Sequence, residues 1–138
     1  MAERLRLELA TPTRLVVSQE VEEVVAPGAE GYFGVWPGHA SFLTTLASGA
    51  VTYRTGAGEH SLAVHGGFAE VQGERVIILA DSAESPEEID MARAQRARER
   101  AEQRLAGKTQ EEIDYTRALA ALRRAQIRLQ VAGRAGSK

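Results

Sequence analysis

The chain has 138 residues, 43% of them hydrophobic and 26% charged, with a formal net charge of −2. That length buries one substantial core but hardly two, and no apolar run is long enough to cross a bilayer. The absence of cysteine removes disulfides, thiolate catalysis and cysteine-held zinc, and His39, His60 and His65 lack a metal-ligand spacing such as HExxH.

The opening stretch, MAERLRLELATPTRL, reads as neither a secretory signal nor a transit peptide. Within it Leu5, Leu7 and Leu9 alternate with Arg4, Arg6 and Glu8, the period of a half-buried strand. Further strands are expected at Arg14–Val17, Val21–Ala26, Tyr32–Val35, Leu43–Leu46, Ala50–Arg54, His60–Val64, Phe68–Val71 and Val76–Ala80. Turns are expected between them, among others at Pro27-Gly28, Pro37-Gly38, Ser48-Gly49, Gly56-Ala57-Gly58 and Gly66-Gly67. Nine closely spaced short strands imply an all-β sandwich or flattened barrel. With no room for helical crossovers, parallel pairing is not expected. The segment Gly31–His39 crowds aromatics and glycines, so Phe33 and Trp36 either fill the core or form an exposed loop that anchors a partner.

From Asp81 onward the chain changes character. Ser85-Pro86-Glu87-Glu88 reads as a capped helix start, with Pro86 in the first turn and Glu88 closing a capping box. The helix then runs to Leu105, placing Asp90 and Arg93 three apart on one face. Gly107 ends it, and Thr109-Gln110-Glu111-Glu112 opens a second helix that reaches about Val131. So short a break favours an antiparallel pair. The facing stripes are Met91, Ala94, Ala97, Ala101 and Leu105 against Tyr115, Ala118, Leu122, Ala125, Leu129 and Ala132. Such alanine-rich seams bury little area per residue, so the hairpin closes weakly.

Charge divides at the same place. Residues 1–85 hold five basic and eleven acidic side chains, whereas residues 86–138 hold twelve and eight, so a net −6 domain precedes a net +4 arm. The arm therefore suits an acidic partner, or is a solvated helical surface of Arg–Glu pairs. Arg93, Arg124 and Arg128 converge at one end of an antiparallel hairpin, where they either hold a phosphate or join a salt-bridge network with Glu84, Glu87, Glu88 and Asp90. There is no GxSxG elbow, no GxxxxGK[ST] loop and no dinucleotide fingerprint, so no enzyme site emerges. The acidic β domain and the interleaved glutamates of the arm argue against nucleic acid.

Three segments in order, GYFGVWPGHASFL, HGGFAEV and IDMARA, resemble motifs of the epsilon subunit of bacterial F-type ATP synthases, and the likeness runs from LELATPTRLVVSQEVEEV to the closing ALRRAQIRLQVA. The resemblance implies an α+β chain: a sandwich of about ten strands over residues 1–84, then an antiparallel two-helix regulatory hairpin over residues 85–138. It implies a non-catalytic subunit of the central stalk, peripheral on the cytoplasmic face of the bacterial plasma membrane. Its partners would be the gamma subunit, the ring of c subunits and an acidic segment of the catalytic beta subunit, through which the arm restrains ATP hydrolysis. No cofactor is required. ATP enters as a regulatory ligand, with Ile89, Asp90, Arg93 and Ala94 as the motif and Glu84, Arg124 and Arg128 as neighbours. Tyr32 matches the ring contact and His39 lies near the gamma contact. Three positions depart from the family pattern: Ser41 stands in place of proline, Tyr32 in place of an acidic or small residue, and His65 in place of serine. A different reading is a free-standing β-sandwich binding module with a helical dimerisation arm.

Overall fold

The computed structural model describes residues 4–107 and 112–134. The chain divides into two compact units that meet between Glu84 and Ser85.

The first unit is built from eight strands: β1 (Leu5–Ala10), β2 (Leu15–Val21), β3 (Glu23–Gly28), β4 (Gly31–Val35), β5 (Phe42–Thr55), β6 (Gly58–Gln72), β7 (Arg75–Ala80) and β8 (Ala83–Glu84). They bond in the order β2-β1-β7-β6-β5-β3-β4, with β8 beside β6. The sheet folds over on itself, and Leu7, Leu9, Val24, Val51, Val64 and Ile78 from both of its ends share one core. The alternation of Leu5, Leu7 and Leu9 does what its period requires, since all three are fully buried while Arg4 and Arg6 face out.

The strand count is lower than the turn signals imply, because two expected turns do not exist. Ser48-Gly49 and Gly66-Gly67 lie inside β5 and β6, which pair from Phe42↔Val71 to Thr55↔Gly58 in a single register. These glycines are there for space and for φ rather than for reversal. A Cβ on Gly49 would stand 2.5 Å from the Pro27 ring and 2.5 Å from the Tyr32 hydroxyl. Gly67 has φ +124°, and a Cβ there would meet the Leu79 carbonyl oxygen at 2.1 Å. The expectation of purely antiparallel pairing also fails at one place: β1 and β7 are parallel, from Arg6↔Arg75 to Ala10↔Leu79. The crossover between them is the intervening β structure itself, so no helix is needed.

The second unit opens with a single 3-10 turn, Pro86–Glu88, followed by α1 (Met91–Leu105) and α2 (Glu112–Gly133). Residues 106–111 connect the helices, and α1 packs on α2. Ala94 and Ala101 are buried from α1, and Ala118, Ala125, Val131 and Ala132 from α2. Met91 and Tyr115, expected at the ends of the seam, are half exposed instead. The second capping box rests on residues 109–111, which lie outside the described residues. No helix among the described residues is long and apolar enough to cross a membrane.

Replacing Gly67 by alanine sets a methyl against the Leu79 carbonyl in a backbone conformation that L-residues avoid. It is expected to cost the sandwich about 2 kcal/mol or more, read as a lower urea midpoint in the fluorescence of Trp36, the single tryptophan.

Candidate functional site

The helix start that the sequence places at Pro86 is two separate starts. Ser85 and Glu88 do form a cap: the Ser85 backbone N–H and hydroxyl both donate to a Glu88 carboxylate oxygen, at 2.9 and 3.1 Å. That cap serves only the one-turn Pro86–Glu88 segment, because Ile89 returns to extended backbone. Asp90 then caps α1, its carboxylate accepting the Arg93 backbone N–H at 3.0 Å. The proximity of Asp90 and Arg93 is therefore a backbone cap, and Asp90 stands before the helix rather than on its face.

Within IDMARA the side chains divide by role. Ile89 and Ala94 are buried, anchoring the segment, and Asp90 fixes the first turn of α1. Arg93 is the exposed cation. The 3-10 turn packs against α2, the helix that carries Arg124 and Arg128 one turn apart and half-buried. No carboxylate among the described residues pairs with Arg93 or Arg124. Their guanidinium groups offer planar donor forks suited to a phosphate. Glu84 does not belong to this unit: it ends β8 in the sandwich, with a carboxylate oxygen 3.9 Å from Nε2 of His65.

In the sandwich, Tyr32 sits on β4 near the tip of the β3–β4 hairpin, paired with Pro27. Its ring is 56% exposed, but its hydroxyl accepts the Ala50 backbone N–H at 3.0 Å, which the missing side chain of Gly49 permits. Both sequence readings of the aromatic loop hold for different members. Phe33 packs against the core and meets Phe42 edge-on at 5.1 Å. Trp36 is exposed, its ring lying over Gly34. His39 is half-buried beside Phe42, with Nδ1 2.6 Å from the Ala40 carbonyl oxygen. The Pro37-Gly38 turn is fastened from outside, as the Gly38 N–H donates to Glu74 at 3.2 Å.

An apolar row escaped the reading by periods, because it appears only when strands distant in sequence are set in register. Thr45, Phe68, Leu79, Ala10 and Leu15 are successive cross-strand partners through β5, β6, β7, β1 and β2. Leu15, Phe68 and Leu79 are each at least half exposed, and Leu43, two residues along β5, is 71% exposed. Contiguous apolar surface of this kind is uncommon on a monomer and is what interaction sites expose. A shallow groove lined by Glu23, Thr52, Tyr53, Arg54 and Glu59 offers no comparable chemistry. Its Arg54 is paired with Glu23, and burial pushes the Tyr53 phenol up from its ordinary value against a smaller opposing effect of Gln19.

A folded β sheet with an outward apolar face, joined to an alanine-seamed helical pair, defines a two-domain docking protein. Residues 4–86 match the family described as ATP synthase, Delta/Epsilon chain, beta-sandwich domain, and residues 87–133 match its long alpha-helix domain. The chain is 48% identical over 136 residues to ATP synthase epsilon chain 2 of Syntrophotalea carbinolica, covering 99% of each. It is 47% identical over 138 residues to the ATP synthase epsilon chain of Citrifermentans bemidjiense, covering all of both. Among solved structures it superposes with a TM-score of 0.81 and 25% identity on a chain of the Euglena gracilis mitochondrial ATP synthase (OSCP/F1/c-ring), covering 94% of this chain and 81% of that one. A chain of the Tetrahymena thermophila central stalk and c-ring shares the fold, with a TM-score of 0.63 at 14% identity. The chain belongs to the ATP synthase delta/epsilon family and carries both of its domains. It is thus of the class of non-catalytic ATP synthase epsilon chains, which displaces the reading as a free-standing module.

Because Asp90 is a cap, Asp90→Ala is expected to destabilise the first turn of α1 by about 1 kcal/mol. Asp90→Asn keeps an accepting oxygen and should recover most of that loss. Amide exchange of Arg93 and Ala94 in the two variants separates capping from any direct role of the charge.

Proposed function

We propose that the chain serves as the epsilon subunit on the rotor of a bacterial F-type ATP synthase, at the cytoplasmic face of the plasma membrane. The sandwich docks on the gamma subunit and the c-subunit ring, linking ion-driven rotation to the catalytic head. The helical unit restrains ATP hydrolysis by engaging an acidic segment of the catalytic beta subunit, and bound ATP favours its folded form. Arg93, Arg124 and Arg128 hold the phosphates in this scheme, while Ile89, Asp90 and Ala94 shape the turn that presents them. Tyr32 and Trp36 face the ring, and His39 lies toward gamma.

The observation that carries this reading is the exposed apolar row through Leu15, Leu79 and Phe68 with Leu43 beside it, on a chain whose relatives are ATP synthase epsilon chains. Apolar area of this extent is most stable when covered. The arm supports a second, electrostatic contact, since residues 86–138 carry twelve basic against eight acidic side chains.

Phe68→Glu combined with Leu79→Glu places two carboxylates at directly opposed positions in the row. Binding to purified gamma subunit is expected to weaken at least about 100-fold, that is by roughly 2.7 kcal/mol, with the Trp36 unfolding transition retained. Undiminished binding by the double variant would remove the row from the interface. Nucleotide is tested apart from docking. Calorimetric titration should show ATP binding by the full chain and a loss of about tenfold or more in Arg93→Ala, the size expected for one charge-assisted contact. A flat titration of the wild type at millimolar ATP would end the nucleotide role and leave the docking role standing.

A further inference from the structure

The seam of the helical unit holds a charged side chain among its alanines. Ala94 and Ala101 are the buried residues of α1. Arg98 stands four residues after the first and three before the second, on the side of the helix that packs against α2. It is half-buried, whereas Arg93, Arg96, Arg100 and Arg104 of the same helix are exposed. Its Nε is sealed from solvent and has no hydrogen-bond partner among the described residues. No ion pair joins Arg98 to Glu102, the exposed carboxylate one turn further on.

A buried donor without an acceptor forfeits the bond that water would give it. Lysine or histidine could escape by losing a proton, but a guanidinium stays charged at every accessible pH. The closed hairpin therefore carries the deficit permanently, and parting the helices removes it by returning Nε to water. The alanines on either side supply little apolar area to set against it.

We propose that Arg98 is a built-in release for the helical hairpin: its unpartnered Nε–H opposes closure, so the two helices part more readily than their apolar seam alone would allow. The release goes beyond the docking and nucleotide readings and depends on neither, since no ligand or partner takes part in it. Any ligand that holds the hairpin shut works against Arg98.

Amide hydrogen exchange of the full chain without nucleotide tests it, with the sandwich as internal reference. Arg98→Met leaves an apolar side chain of nearly the same helix propensity. Arg98→Lys puts a methylene where Nε stands and keeps the charge one atom further along, toward water. In both variants protection of residues 118–125 in α2 is expected to rise about tenfold, with that of β1 and β6 unchanged. Arg96→Met makes the same change of charge on the exposed face and should leave protection where it is. Unaltered or lower protection in the two Arg98 variants overturns the release. So does a gain confined to one of them, which would assign the effect to net charge or to packing, and so does an equal gain in Arg96→Met.

Discussion

Everything in the first unit depends on the β5–β6 hairpin running unbroken through two glycine-containing sites. A reversal at Ser48-Gly49 or Gly66-Gly67 would have produced four short strands. Instead β5 pairs along its whole length with β6 on one edge and with β3 on the other, and β6 pairs with β5, β7 and β8. The long pair therefore stands in the middle of the strand order, joining the β2-β1-β7 side to the β3-β4 side, and lets one sheet close over one core. Gly67 is where this is most constrained. Its positive φ and the Leu79 carbonyl close against it leave no room for any side chain. The outward row of Leu15, Leu79, Phe68 and Leu43 follows from the same pairing, since no two of these residues are neighbours in sequence.

The helical unit rests on a different balance. Among the described residues, its buried side chains are alanines with a single valine, Val131, and the isoleucine of the preceding turn. At about 25 cal/mol per Å2 of apolar area, each alanine contributes a small fraction of what Leu7 or Ile78 contributes in the sandwich. Capping then matters in proportion. The bonds made by Glu88 and Asp90 each fix one turn, and both lie at the point where the chain enters the unit. A unit assembled from small increments of this kind responds to modest ligand energies. A ligand at a hundred times its dissociation constant adds only about 2.7 kcal/mol, which is comparable with those increments.

Sequence made the division of the chain legible, because composition, periodicity and charge all change near residue 85. The capping residues were legible too, although their assignment was not. Ser85 and Glu88 satisfy the capping-box pattern, yet Asp90 satisfies the simpler rule for a helix start a few residues later. Pattern alone does not decide which start propagates. The glycines misled for a similar reason. A glycine that allows close approach, as Gly49 does for Pro27 and Tyr32, looks the same in sequence as one that allows reversal. The parallel β1–β7 pair was hidden because the rule requiring a helical crossover assumes that nothing else spans the distance. Among the residues expected to hold a nucleotide, Glu84 ends the last strand of the sandwich, on the near side of the boundary that the sequence placed at residue 84.

The two surfaces offered for docking rely on forces with different ranges. The row on the sandwich is apolar, so its contact depends on removing area from water and is nearly indifferent to ionic strength. The arm is cationic, and charges on an exposed helix are screened over about 8 Å at physiological salt. On the proposed reading, the sandwich therefore stays attached under conditions in which the engagement of the arm varies. A regulatory element needs that separation. Were both contacts apolar, the arm would be as permanent as its platform. Were both electrostatic, whatever released the arm would also detach the subunit.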